Sequence, residues 1–118
     1  MSEERSHFTV SSSNGVTIVD FSERKILEEL SISEIGDALY ALVDGQAGIH
    51  LLVSFKHVEH LSSAALGVLI TLNKKVQEAK GKLKLSDISP QIYEVFKITR
   101  LNKLFNIHDT AERALADF

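Results

Sequence analysis

Between Ile49 and Ile88 the chain reads as strand, helix and strand in turn, and that order leaves few folds open. Ile49 to Phe55 (IHLLVSF) is an apolar run of strand length. Leu66, Leu69, Ile70 and Asn73 then recur at helical spacing, with Lys74 and Lys75 on the far side. Lys80-Gly81 ends this helix, expected from about Ala64 to Ala79, as a C-terminal glycine does, and Leu83 to Ile88 (LKLSDI) alternates like a strand. A right-handed crossover makes the two strands parallel neighbours in one sheet. At the centre of this unit Ser62 and Ser63 sit where the strand hands over to the helix. An anion placed there would meet free backbone N–H groups and the positive end of the helix dipole.

The flanking segments extend the same pattern. Phe8 to Ser12 and Val16 to Phe21 are β-prone, and Asn14-Gly15 between them is a strong hairpin signal. Lys25 to Leu27 fits either a short strand or the approach to a helix. Ser31 with Glu34 forms a capping box that predicts a first long helix over Ile32 to Val43. Its stripe of Ile32, Ile35, Leu39, Leu42 and Val43 suits packing on a sheet, and Asp44-Gly45 closes it. Ser89-Pro90 opens a third helix with Ile92, Val95, Phe96 and Ile98 expected inward. Leu104 to Ile107 is a candidate last strand, and Asp109 is the expected cap of a closing helix to Ala116. The fold class is α/β: a mixed sheet of four to five strands with about four helices, the first strands forming its antiparallel edge.

Composition narrows the function. The 118 residues, 44% hydrophobic and 25% charged, are expected to form one domain over 1–118, with charged residues 1–6 flexible. Apolar runs are far shorter than the roughly 20 residues of a membrane span, and the first residues lack the apolar core of a signal peptide, so a cytoplasmic protein away from the membrane is expected. The absence of cysteine excludes disulfides, thiolate metal sites and cysteine nucleophiles. A net charge of −3 without a basic, aromatic-interleaved stripe argues against direct nucleic-acid binding.

LSSAALGVL, followed across a glycine stop by KLKLSDISPQIYEVFKITRLNKLFNIHDTAERAL, resembles the STAS domain of bacterial anti-sigma factor antagonists. The resemblance runs from about Val16 to Leu115 and implies the STAS fold. In that family the second helix opens on Asp-Ser-(Ser/Thr)-Gly-Leu-Gly, and a kinase that is itself the anti-sigma factor phosphorylates the second hydroxyl residue. The unphosphorylated form binds the kinase and frees the sigma factor. Anchored on Leu66-Gly67-Val68, the family glycine falls on Ala65, the phosphoacceptor on Ala64, the preceding serine on Ser63 and the aspartate on Ser62. An acidic position at the end of the central strand falls on Ser54. A one-residue slip makes Ser63 the acceptor.

The resemblance implies a non-catalytic partner-switching protein that takes part in transcription regulation. Its expected partners are an anti-sigma factor/serine protein kinase and a serine phosphatase, with no cofactor. The expected contact residues are His60, Leu61, Ser62, Ser63, Ala64, Ala65 and Gly67, with Ser63 and Ser62 the phosphorylation candidates. Three other readings stand beside it. One is a STAS scaffold or sensory module that binds like domains or a small ligand, which alanine at the acceptor position favours. Another is an enzyme using the corner as an oxyanion site, for which the sequence supplies no convincing base. The third is that the serines only cap the helix. His57, Glu59 and His60 lie on a strand-end loop without the i, i+4 geometry of helical metal ligands, so no metal site is expected, and His50 within the apolar strand fits packing. No nucleophile elbow, Walker glycine loop or receiver-domain lysine accompanies Asp20 and Asp87 at their strand ends, which argues against an enzyme.

Overall fold

The computed structural model describes residues 3–4, 8–21, 25–26, 29–58, 60–116 and 118. The strands are β1 (Glu3–Glu4), β2 (Phe8–Ser13), β3 (Val16–Phe21), β4 (Lys25–Ile26), β5 (His50–Ser54), β6 (His60–Leu61), β7 (Lys82–Ser86) and β8 (Asn106–His108). The helices are α1 (Glu29–Asp44), α2 (Ser63–Glu78), α3 (Pro90–Ile98) and α4 (Ala111–Ala116), with a 3-10 turn at Leu101–Lys103. Five main strands, extended at one edge by β1, make a sheet in the order β1-β2-β3-β5-β7-β8. A separate parallel pair joins β4 to β6, so Lys25–Ile26 takes the strand alternative.

The hairpin forms where expected. Asn14 (φ 52°) and Gly15 (φ 83°) both take positive φ, as a two-residue hairpin turn requires, and pair Ser13 with Val16. From β3 onward the sheet is parallel, with Ile18 beside Leu52 and Leu52 beside Lys84. β5 is therefore central. Leu51 and Val53 point into the main core with Leu39, Leu72, Val76 and Phe96, under α1 and α2. Leu52 faces the other way, where Val16, Ala114 and the side chains of α4 cover it. Full burial of such a side chain contributes about 1.5–3 kcal/mol, and β5 supplies one to each face in alternation.

Several boundaries differ from those expected. α1 begins at Glu29, ahead of the Ser31–Glu34 box, because an i, i+3 polar pair fits a helix interior as well as a start. Ile32, Ile35, Leu39 and Val43 are buried as the stripe required. On α3, Ile92 and Phe96 are buried, whereas Val95 is 37% and Ile98 79% exposed. At about 100° per residue, only the i, i+4 pair of so short a helix shares one line, and Ile98 lies about 120° from Ile92. Ser89 caps α3 by accepting from the Ile92 N–H at 3.3 Å. The last strand starts at Asn106, after a 3-10 turn that holds Leu101 to Lys103. The cap of α4 is Thr110, whose Oγ1 accepts from the Arg113 N–H at 3.2 Å, while Asp109 reaches the Arg113 guanidinium at 3.9 Å. Of residues 1–6, only Glu3–Glu4 lie among those described, paired with β2.

The end of α2 reverses the expected division of labour. Lys80 takes the left-handed conformation (φ 62°). The Lys80 N–H donates to the Gln77 carbonyl and the Gly81 N–H to the Val76 carbonyl, at 3.0 and 2.9 Å, which is the Schellman pattern with lysine where glycine is usual. Gly81 is needed for a different reason. A Cβ there would run into the Ile49 carbonyl oxygen, which accepts from the Lys82 N–H at 2.8 Å.

Two substitutions separate these roles. Gly81→Ala forces β5 and β7 apart and should cost about 1–3 kcal/mol in urea denaturation. Lys80→Gly relieves the left-handed residue and should stabilise by up to about 1 kcal/mol.

Candidate functional site

The start of α2 is set by Ser62. Its backbone is extended (φ −81°, ψ 166°), its Oγ accepts from the Ala65 N–H at 3.1 Å, and its carbonyl accepts from the Leu66 N–H at 3.1 Å. Ser62 is thus the cap, one position before Ser63, which a helix starting at Ala64 would have as its cap. Ser63 becomes the first helical residue, exposed and without a capping duty. The N–H groups at a helix start lack intrahelical partners, and the first turn of α2 carries no acidic residue to offset them.

The expected contact residues divide by direction. Ser63, Ala64 and Gly67 are exposed, whereas Ala65 is buried and Leu61 packs half-buried on the core. His60 lies in β6 opposite Lys25, which anchors the approach to the helix. Its side chain and residue 59 lie outside the described residues. Ile70, at helical spacing from the core residues, is in fact 41% exposed and continues the outer face together with Thr71 and Lys74. A Cβ at Gly67 would meet nothing within 4 Å. No contact among the described residues accounts for glycine there, and the helix surface around it is exposed.

The carboxylate position at the end of the central strand is filled by another route. Ser54 is buried and donates from Oγ to Asp87 Oδ2 at 3.4 Å, and Ser86 Oγ donates to the same oxygen at 2.9 Å. The Lys56 N–H donates to Ser54 Oγ at 3.4 Å, tying the start of the loop toward α2 into this network. Asp87 reaches it from a left-handed backbone (φ 58°) just after β7. Sequence reading placed Asp87 at a strand end without its partners. The signal available was an acidic residue one position past Ser86 in the strand parallel to β5.

The described histidine side chains do not converge. His50 stacks on the Phe118 ring at 5.4 Å, His57 is exposed, and His108 Nε2 lies 3.5 Å from the ammonium of buried Lys84. Among the described residues no group of three His, Cys, Asp or Glu side chains is placed to hold a metal ion. No helix among them is long and apolar enough to cross a membrane.

A mixed sheet with α1, α2 and α3 packed on one face and the short α4 on the other, and the start of α2 emerging beyond the end of the central strand, defines a small α/β domain. The model of the STAS domain family matches residues 8–114, and the chain belongs to that family. It is 25% identical over 68 residues to the anti-sigma F factor antagonist of Paenibacillus polymyxa, a match covering 58% of this chain and 58% of that protein. It is 31% identical over 67 residues to the anti-sigma-B factor antagonist of Bacillus subtilis, covering 57% and 62%. The matches thus span little more than half of each curated relative. The solved STAS domain protein from Planctomyces limnophilus superposes with a TM-score of 0.83 at 22% identity, over 93% of this chain and 96% of that one, which establishes the shared fold.

The caps make the two serines separable. Ser62→Ala should cost about 1 kcal/mol of stability, while Ser63→Ala should stay within about 0.5 kcal/mol of wild type. Gly67→Ala should stabilise by about 1 kcal/mol, because a helix interior favours alanine and the site has room. Thermal and urea melts of the three variants check this ordering.

Proposed function

We propose that the chain is an anti-sigma factor antagonist that binds an anti-sigma factor through the outer face of the first turns of α2. The observation that carries the reading is the open surface over Ser63, Ala64 and Gly67, where small side chains leave backbone and helix start accessible. A glycine that serves no contact among the described residues suits close approach by another molecule. The names of the curated relatives support the same role. The anti-sigma factor is expected to be a serine kinase, opposed by a serine phosphatase, and the setting is cytoplasmic transcriptional regulation without catalysis by this chain.

Ser63 is the modification site in this reading, since Ala64 carries no hydroxyl and Ser62 is engaged as the cap. A phosphoryl group adds about −1.5 to −2 charges near pH 7. Within the domain the helix start would stabilise it. A partner surface shaped for a neutral hydroxyl would have to desolvate that charge, and complex formation would weaken. Ala64 supports a second reading, in which the domain binds its partner or like domains with no phosphorylation at all.

Capture from the native organism's lysate, followed by phosphosite mapping, identifies the kinase, and calorimetry with that purified protein decides between the readings. Ser63→Ala should bind as wild type does and accept no phosphate, while Ser63→Asp should bind at least tenfold more weakly. Equal binding of wild type and Ser63→Asp, with neither serine phosphorylated, favours the non-switching module. Failure of Gly67→Leu to weaken binding would remove this face from the interface altogether.

A further inference from the structure

A groove of about 430 Å³ lies toward the C-terminal half of α2, against the start of β7 and the chain entering β8, with Asn73, Gln77, Lys82, Leu104 and Asn106 in its walls. Asn73 is its most telling residue. It occupies the inward stripe of α2 between Leu69 and Val76, and only 7% of its surface is exposed. Its amide makes no hydrogen bond to any described residue. Yet no side-chain nitrogen or oxygen among the described residues is sealed from solvent without a partner. The Asn73 amide therefore opens to solvent, and the groove it lines is its outlet.

The walls suit one chemistry in particular. A carboxamide carries an acceptor oxygen and a donor NH₂, the same pair that a peptide unit presents, and Asn73, Gln77 and Asn106 bring three of them together. β8 pairs with β7 only from Lys84 onward, so Lys82 and Leu83 present a strand edge with no described strand beside it on that side, and an unpaired edge is a template for an added segment. Lys82 is exposed, and its ammonium makes no ion pair or hydrogen bond to a described residue. Leu104, 44% exposed, offers an apolar contact beside these polar groups. Small-molecule pockets are mostly apolar and enclose the ligand, unlike this open, amide-rich groove.

We propose that this groove binds an extended polypeptide segment of a partner protein. The segment's backbone amides pair with the carboxamides of Asn73, Gln77 and Asn106 and with the open edge of β7 at Lys82 and Leu83, and an acidic side chain sits against Lys82. The site is separate from the serine corner and does not depend on how that corner works.

Panning a phage-displayed library of random dodecapeptides against the full chain tests it. Enriched sequences should share a β-prone stretch with at least one acidic residue. A synthetic peptide of that sequence should shift the side-chain amide resonances of Asn73 and Gln77 and the backbone amides of Leu83 and Asn106 in ¹H–¹⁵N spectra. Asn73→Leu and Lys82→Glu should each weaken binding at least tenfold, with Ser63→Asp unchanged. Asn73→Leu removes an amide from an apolar stripe and should fold well, and Lys82→Glu is a surface change, so neither readout depends on a damaged protein. Absence of enrichment, binding that maps to the start of α2, or undiminished affinity in Asn73→Leu would overturn the proposal. So would inorganic phosphate shifting the same resonances when no peptide does.

Discussion

Burial of β5 on both faces is the constraint that the remaining structure serves. Leu51, Leu52 and Val53 are each wholly inaccessible, so helices must cover both sides of the sheet and the neighbouring strands must lie close. The parallel order β3-β5-β7 then requires crossover connections, and α1 and α2 are those crossovers on the same face. Once α2 is the connection from β5 to β7, its first turn has to emerge at the C-terminal edge of the strands. That edge is where open α/β sheets place their binding sites. The position of the serine corner is thus a consequence of topology before it is a matter of local sequence.

Close packing at the opposite edge follows from the same order. The chain leaving α2 must turn at once to run beside β5, and the Lys82 N–H meets the Ile49 carbonyl at 2.8 Å. Only glycine fits at position 81, and the left-handed residue that makes the turn is displaced onto Lys80. A lysine in that conformation is disfavoured by about 1–2 kcal/mol, a cost met by two backbone hydrogen bonds that close the helix and by the strand pairing they permit.

What was legible in the sequence was whatever depends on periodicity or on a residue with one conformational use. The Asn14-Gly15 hairpin, the apolar β5, the α1 stripe and the STAS resemblance all belong to that group, and with them the fold. The missed details share a different cause. Ser62 rather than Ser63, and Thr110 rather than Asp109, act as caps because the cap is whichever polar residue has the extended backbone before the first helical turn. Neighbouring polar residues do not reveal that dihedral. Val95 and Ile98 are apolar yet exposed, since a short helix meeting the core along Ile92 and Phe96 has no second surface to bury them against. The carboxylate beside Ser54 was hidden for a third reason: Asp87 is distant in sequence and approaches only through strand pairing.

The candidate site was therefore legible as a place and less so as a set of roles. Seven neighbouring positions were expected to act together, but a helix start distributes consecutive residues around its axis at about 100° each. Ser63 and Gly67, four apart, share the outer face; Ala65 cannot join them while Leu66 and Leu69 hold the helix to the sheet. The same geometry governs the far end of α2. Asn73 stands on the buried line of Leu66, Leu69 and Val76, where an apolar residue would pack without leaving an amide to hydrate. About 15 Å along the axis separates it from Ser63, at 1.5 Å per residue. One helix thus carries two departures from the pattern that folding alone would favour, a glycine facing open space and an asparagine in an apolar stripe. Gly67 and Asn73 stand about 9 Å apart along the axis and face directions about 120° apart, so they offer separate surfaces to a partner.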